Sequence, residues 1–382
     1  MQFYVNIDNT SGNVNLYIYT SRFTRYNTFK KKGGIRMDKN VTIIQIAKEC
    51  GVSIATVSRV INGTVPVSEE TRRRVQAVID KYHFSPNAMA RGLINRRSMT
   101  LGVMLPDITN PYFALIFREI ECEAHAAGYA VFLCNTMYSS RVQDTPEEEY
   151  FQMLQDKQVD GLIVVGGQLD LTTPSQSYCD ALRHTAAAVP TVVIGPPLAG
   201  VEAVFLTPDT WAGIAAAVRH LAAQGHRHIA FLGGEPGVTI TCDRLDAYRA
   251  ALATAELPCT EYQLVLTDYY LPDGFAAANK LMSRGTTCTA LLAINDSVAL
   301  GVLRALADWG KTVPQDFALV SCDQFPGAEY HIPRLTAIDH HSELLAHTAV
   351  QQLLAAMQGA PKPEIRMPDA ELIIRESSLC KL

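Results

Sequence analysis

From Thr100 onward the chain alternates short apolar runs with amphipathic stretches, and this alternation restricts the fold more than any other feature. Runs such as Leu101-Gly102-Val103-Met104-Leu105, Leu162-Ile163-Val164-Val165 and Ala290-Leu291-Leu292-Ala293 have no polar face. A strand that is apolar on both sides must be covered on both sides, as in a parallel sheet layered between helices. Strands are expected at Thr100–Leu105, Ala130–Cys134, Gly161–Val165 and Thr191–Ile194. A second series runs through Ala203–Leu206, His228–Leu232, Gln263–Leu266, Ala290–Ala293 and Ala318–Ser321. Helices are expected between them, among others at Tyr112–Ala127, Trp211–Ala223, Gly274–Ser283 and Asp296–Trp309. Two series predict two α/β lobes, and ligands of such folds bind beyond the carboxyl ends of the strands.

A different pattern precedes them. Thr42 can cap a short helix whose apolar side is Ile43, Ile46, Ala47 and Cys50. Gly51 supplies a turn that needs positive φ, and Ser53 caps a second helix with Val57 and Val60 inward. Ile54, Ala55, Ser58, Arg59 and Asn62 then share one outward face. Two short helices around a Gly turn form either a plain helical hairpin or a helix-turn-helix, whose second helix lies in a major groove. Ser68 caps a third helix to about Tyr82, with Val75, Val78, Ile79 and Tyr82 closing a three-helix core. Pro86 breaks the chain before Asn87-Ala88-Met89-Ala90-Arg91-Gly92-Leu93, too short a stretch to be a stable helix alone.

Charge divides along the same lines. Residues 37–98 hold ten Lys/Arg against five Asp/Glu, whereas residues 99–382 hold seventeen against thirty-two. A basic small domain joined to an acidic large one suits contact with phosphates at one end only. The nine cysteines show no CxxC or metal-ligand spacing, and Cys134 and Cys322 sit in apolar runs. They read as reduced core residues of a cytoplasmic protein. No run is apolar for long enough to span a bilayer, and the first residues lack a signal peptide's basic start and apolar core. Residues 1–36 show no convincing periodicity and end in Lys30-Lys31-Lys32-Gly33-Gly34-Ile35-Arg36. They are read as a disordered basic arm or as an untranslated extension. Codons for Lys-Gly-Gly can spell a purine-rich ribosome-binding sequence, which favours Met37 as the start. The intact mass of protein made from its native locus checks this, and a species retaining residues 1–36 contradicts it.

Taken together, these stretches resemble the lactose-repressor/galactose-repressor (LacI/GalR) family of transcription regulators, from about Val41 to Glu376. The resemblance is carried by Val52-Ser53-Ile54-Ala55-Thr56-Val57-Ser58-Arg59-Val60-Ile61-Asn62-Gly63, Tyr82-His83-Phe84-Ser85-Pro86-Asn87 and Asp107-Ile108-Thr109-Asn110-Pro111-Tyr112-Phe113. Gln224-Gly225-His226-Arg227-His228-Ile229-Ala230, Asn295-Asp296 and Leu372-Ile373-Ile374-Arg375-Glu376-Ser377 add to it. The implied architecture is α/β: an N-terminal all-α helix-turn-helix domain and a periplasmic-binding-protein-like sensor of two doubly wound parallel-sheet lobes. Its expected boundaries are 37–85 for the DNA-binding domain, 86–98 for a hinge segment, 99–377 for the effector-binding and dimerisation domain, and 378–382 for a tail.

The resemblance also assigns residues. Ile54 and Ala55 take the base-reading positions and Arg59 the place of an arginine against guanine. Ser53, Thr56, Ser58 and Asn62 match residues contacting backbone or neighbouring bases, with Thr42 at a phosphate-contacting helix start. The Ile-Ala pair resembles the pairs of galactose-type and catabolite-control regulators, which implies a palindromic operator with TGnAA-like arms. Leu93, with Ala90 and Asn87 beside it, matches a hinge leucine that wedges into the central base step from the minor groove. Asp107, Asn110, Tyr112 and Phe113 match the effector cleft of the first lobe, and Arg244, Tyr269, Asn295, Asp296 and Asp323 that of the second. Aromatic faces with Arg, Asn and Asp suit a polyol, while Arg244 alone could pair a sugar acid or a sugar phosphate. Departures are His340 after Asp339, a ligand contact or a polar hinge residue, and Ser321-Cys322 before Asp323. Gly166-Gly167-Gln168 is a compact loop at a cleft-facing strand end.

The expected function is therefore a homodimeric repressor of a carbohydrate-utilisation operon, bound to double-stranded operator DNA and controlled by a small sugar-like effector. No heptad extension follows Ser378, so a dimer is the expected assembly. No cofactor, metal or membrane partner is implied. Two alternatives are a global catabolite-type regulator with a phosphoprotein corepressor, which the acidic sensor disfavours, and a sugar-binding transport protein, for which an export signal is missing. An enzyme is disfavoured because there is no phosphate loop, GxSxG elbow or metal cluster, and Glu147-Glu148-Glu149 reads as a solvated helix face.

Overall fold

The computed structural model describes residues 2–8, 13–19, 41–62, 67–82, 97–137, 147–324, 326–361 and 363–379. The chain forms two compact units, residues 1–87 and 88–382.

In the first unit, β1 (Gln2–Asp8) pairs antiparallel with β2 (Asn13–Tyr19), Gln2 opposite Tyr19 and Asp8 opposite Asn13. This corrects the expectation of no regular structure in 1–36. Phe3, Val5 and Ile7 and then Val14, Leu16 and Ile18 alternate with period two, a strand signal that the Asn- and Tyr-rich composition hides. Next come α1 (Ile43–Cys50), α2 (Ile54–Asn62) and α3 (Glu69–Lys81). Ile46, Ala47, Cys50, Val57 and Val75 are buried together, with Val60, Val78 and Ile79 packed against them. Truncating a buried residue such as Ile46 to Ala costs about 2–5 kcal/mol, a large part of what so small a core supplies. Tyr82 does not join this core. It is 39 % exposed, one residue past the end of α3, and the Lys81 ammonium lies 4.8 Å from its ring centroid.

The second unit holds two sheets. The first consists of β3 (Thr100–Leu105), β4 (Ala130–Asn135), β5 (Gly161–Val165), β6 (Thr191–Ile194) and β7 (Val204–Leu206), all parallel in the order β4-β3-β5-β6-β7. The second consists of β8 (Ile229–Leu232), β9 (Leu264–Val265), β10 (Ala290–Ala293), β11 (Ala318–Ser321), β12 (Thr336–Asp339) and β13 (Glu371–Ile373). Their order is β13-β12-β11-β10-β8-β9, with only β12 and β13 antiparallel. Every residue of β5, β6, β8, β10 and β11 is buried, as strands covered on both faces must be. The helices are α4 (Pro111–Ala126), α5 (Glu147–Asp156), α6 (Gln176–Ala188), α7 (Trp211–Ala223), α8 (Thr239–Thr254), α9 (Leu271–Ser283), α10 (Asp296–Asp308) and α11 (Ser342–Met357).

Two strand assignments change. Val204–Leu206, expected with the second series, closes the first sheet, and β12 and β13 extend the second sheet beyond the expected strands. The cause is the path of the chain. It leaves the first lobe after β7, and after β12 it returns to pack α11 into the first core through Leu345, Ala346, Ala349, Val350 and Leu353. It then runs back to place β13 on the second sheet. Thr207–Thr210 and His340-His341 are therefore crossings between lobes. No described helix is long and apolar enough to cross a membrane.

Candidate DNA-reading face and effector cavity

The face of α2 is built by local chemistry. Gly51 has φ 62°, and its amide closes α1 on the carbonyls of Ala47 and Lys48. Thr42 caps α1 reciprocally: its hydroxyl accepts from the Gln45 amide at 3.4 Å, and its own amide donates to Gln45 Oε1 at 2.8 Å. Ser53 Oγ accepts from the Thr56 amide at 3.1 Å and lies 2.9 Å from Thr56 Oγ1. With Val57 fixed in the core, Ile54, Ala55 and Arg59 are exposed, Ile54 by 48 %. Neither α1 nor α2 has an acidic residue in its first turn, whereas α3 has Glu69 and Glu70. The positive ends of α1 and α2 are thus uncompensated, the condition under which helix starts hold phosphates. Thr42, Ser53, Ile54, Ala55, Thr56, Ser58 and Arg59 lie in or beside these helices as expected, and Asn62 ends α2. Asn87, Ala90 and Leu93 lie outside the described residues.

In the second unit, a cavity of about 240 Å³ opens at the carboxyl ends of strands from both sheets. Asp107, Asn110, Tyr112, Phe113, Arg244, Tyr269, Asn295 and Asp323 all line it. Asp296 does not. It is 1 % exposed in the first turn of α10, where the positive helix end suits a carboxylate.

Several lining side chains already have structural partners. Asn110 caps α4 by accepting from the Tyr112 amide at 3.0 Å. Asn295 caps α10 through the Val298 amide at 2.8 Å, and its Nδ2 donates to the Tyr269 carbonyl at 2.9 Å. Asp107 accepts from the Thr109 amide at 2.8 Å and from the Tyr270 hydroxyl, across the lobes, at 3.0 Å. The Tyr112 and Phe113 rings meet edge to face, 5.2 Å between centroids. Tyr269 shares a 2.5 Å hydrogen bond with Thr241, and burial pushes its phenol well above the usual range.

The centre of the second-lobe wall is an ion pair. Arg244 Nη1 and Nη2 donate to the two oxygens of Asp323 at 2.9 and 2.5 Å, and Nη1 also donates to the Ile294 carbonyl. Arg244 is 5 % exposed. Burial works against its charge, but Asp323 overrides that cost and holds the proton more firmly than usual. His340 lines the cavity and joins two crossings: Nδ1 lies 2.9 Å from the Asp209 carbonyl oxygen and Nε2 2.8 Å from that of Cys322.

Sequence reasoning missed Asp170, Glu235, Asp243, Asp268 and Tyr270, all of which line the cavity. Asp170 ends the turn begun by the Gly166-Gly167-Gln168 loop, which was the available signal. It also misread Glu147, which is 1 % exposed and not on a solvated face. Glu147 accepts from the Thr136 hydroxyl at 3.1 Å and from the Gln168 amide at 2.9 Å, so it holds that loop from behind. Gly167 must be glycine there: its φ is 79°, and a Cβ would sit 2.1 Å from Glu147 Oε1. Burial pushes the Glu147 carboxyl up to about 7 and that of Asp170 to about 7.

A helix-turn-helix whose second helix has no acidic residue in its first turn, on the same chain as a two-lobed α/β unit with a cavity between its lobes, is the architecture of a DNA-binding regulator. Comparison with known proteins agrees. Residues 42–87 match the profile "Bacterial regulatory proteins, lacI family", and residues 218–378 match "Periplasmic binding protein-like domain". The relative "HTH-type transcriptional repressor PurR" of Haemophilus influenzae (strain PittEE) is 32 % identical over 343 residues, covering 88 % of this chain and 98 % of its own. Among solved structures, the lac repressor dimer bound to operator and the anti-inducer ONPF superposes with a TM-score of 0.78 at 27 % identity, covering 90 % of this chain and 100 % of that one. A complex of the transcriptional regulator CelR with cellobiose gives 0.64 at 28 %, covering 88 % and 99 %. The chain belongs to the LacI family of DNA-binding transcriptional regulators, a family of regulators and not of enzymes.

Proposed function

We propose that this protein is a dimeric repressor of a carbohydrate-utilisation operon, which reads a palindromic operator with α2 under the control of a sugar-like effector. The observation that carries this reading is the cavity, closed by polar and aromatic groups from both lobes of the unit that follows the DNA-reading helices. Ile54 and Ala55 read bases at the start of α2, and Arg59 makes a bidentate contact to guanine. Ser53, Thr56, Ser58 and Asn62 fix the register on the backbone. Residues 86–98 form the hinge, with Leu93 as the minor-groove wedge flanked by Asn87 and Ala90.

Effector control derives from the cavity's two walls. Tyr270 to Asp107 is a contact between lobes, so a ligand seated between Tyr112 and Phe113 on one side and Arg244, Asp323 and Tyr269 on the other favours one closure angle. In a dimer, that angle sets the separation of the two hinges. DNA and effector then bias one equilibrium and alter each other's affinity by the same factor. Selection of binding sites from random DNA tests the reading: TGnAA-like inverted arms are expected, and enrichment of unrelated arms or none contradicts it.

A further inference from the structure

A sugar-like effector could be a neutral sugar, a sugar acid or a sugar phosphate, and the charges of the cavity narrow that choice, provided the sugar-effector reading holds. Six carboxylates line the cavity, those of Asp107, Asp170, Glu235, Asp243, Asp268 and Asp323, against the single guanidinium of Arg244. That guanidinium is already committed. Nη1 and Nη2 hold both oxygens of Asp323 and Nη1 also holds the Ile294 carbonyl, while Nε is buried without a hydrogen-bond partner.

The opposite wall adds a second constraint. Asp170 has no hydrogen-bond or ion-pair partner among the described residues. It lies beside Gly166, where a Cβ would meet Asp170 Oδ2 at 2.9 Å and the Phe113 ring at 3.1 Å. Carboxylate and aromatic edge are therefore neighbours on the first-lobe wall. Tyr112 and Tyr269 line the same cavity as Asp170 and Arg244.

We propose that the effector is a polyhydroxylated molecule without a negative charge, and that Asp170 with the Arg244–Asp323 pair excludes anions of the same shape. An incoming carboxylate or phosphate must displace Asp323 to reach Arg244, and then stands beside Asp170 without a counter-charge. Hydroxyls leave the ion pair intact: they donate to the remaining lone pairs of Asp323 and Asp170, while sugar C–H faces rest on the aromatic rings. Burial already opposes the charge on Asp170, holding its carboxyl at about 7, and a second negative charge alongside would add to that cost.

The test uses the full chain with matched sets of ligands: glucose, glucuronate and glucose 6-phosphate, and the same three forms built on galactose, mannose and ribose where they exist. Binding is read by thermal shift and calorimetry, and by the change in affinity for the operator that emerges from site selection. In each set that binds, the neutral member is expected to bind more than about tenfold tighter than its acid and phosphate counterparts. At pH 8, where the Asp170 carboxyl is ionised, Asp170→Asn is expected to narrow the gap between uronate and neutral sugar by about tenfold, because one carboxylate is removed at constant shape. Asp243→Asn, the residue before Arg244 in the α8 wall, provides a second variant expected to act in the same direction. Tighter binding of an acid or phosphate member than of its neutral counterpart overturns the charge inference and leaves the sugar-effector reading standing. If no member of any set alters either readout, the sugar-effector reading itself fails, and the charge inference fails with it.

Discussion

The DNA-reading face and the effector cavity are made in opposite ways. Every group on the first lies between Thr42 and Asn62, and each is placed by a cap, a turn or helical spacing within a few residues. The cavity draws on residues from Pro106 to His340, brought together at the ends of strands in two sheets. The face is open, and its side chains have little to lose when one is changed. The cavity is enclosed, and its charges are balanced against one another. Changes to the face should therefore alter binding with little effect on stability, while changes to the cavity should alter both.

The largest effect expected is at the buried ion pair. Asp323→Ala leaves the Arg244 guanidinium buried beside the Ile294 carbonyl and the His340 ring without a counter-charge, and breaking such a pair costs about 3–5 kcal/mol. Denaturant unfolding of the second unit checks this. Replacing both partners, as in Arg244→Met with Asp323→Leu, should recover most of the stability while abolishing the effector response. A double variant that keeps the response would break the assignment of this pair to ligand binding.

Glu147 gives a pH-dependent counterpart. Its carboxyl rests at about 7 in the folded protein, above its ordinary value of 4.5, because it is buried. The folded state thus holds this proton more tightly than the unfolded state. Its contribution to stability is fullest below pH 4.5, is lost as pH rises toward about 7, and is constant above that. The loss is at most about 3 kcal/mol. Glu147→Gln, which can still accept from Gln168 and donate to Thr136, should flatten this part of the stability–pH profile. An unchanged slope contradicts the assignment.

Smaller effects belong to the face. Arg59→Ala should weaken binding to the selected operator by about 1–3 kcal/mol, seen by fluorescence anisotropy, with stability changed by less than about 0.5 kcal/mol. A large loss of stability would show that Arg59 is structural and remove the contrast. Smallest is Thr42→Ala, which loses a reciprocal cap and should cost about 1 kcal/mol in the unfolding of the first unit.

The same contrast governs how much was legible in the sequence. α1, α2 and α3 and the Thr42, Ser53 and Ser68 caps are readable from spacing and residue type, because their causes are local. Strands β5, β6, β10 and β11 were equally legible, since apolar runs bounded by turns have few other uses. The lobe that owns β7 was not, because it depends on where the chain crosses and not on the strand's own residues. Tyr82 was expected inside from its spacing, but it lies past the end of α3. Asn110 and Asn295 do line the cavity, yet their side chains are occupied in capping helices, which no motif distinguishes from ligand contact. Asp170, Glu235 and Asp243 carry no motif. They became visible only when the sheets brought them to one opening. Glu147 shows the converse: three successive acids read as a solvated face, but the first is sealed behind a Gly-Gly turn.

The proposed link between the cavity and the DNA-reading helix is tested most directly by an anisotropy titration of the selected palindromic operator. The titration is run with and without a saturating sugar shown by calorimetry to bind the cavity. The operator midpoint should shift by about fivefold or more, and Asp323→Ala should abolish the shift. A sugar that occupies the cavity and leaves the operator midpoint unmoved would contradict the account.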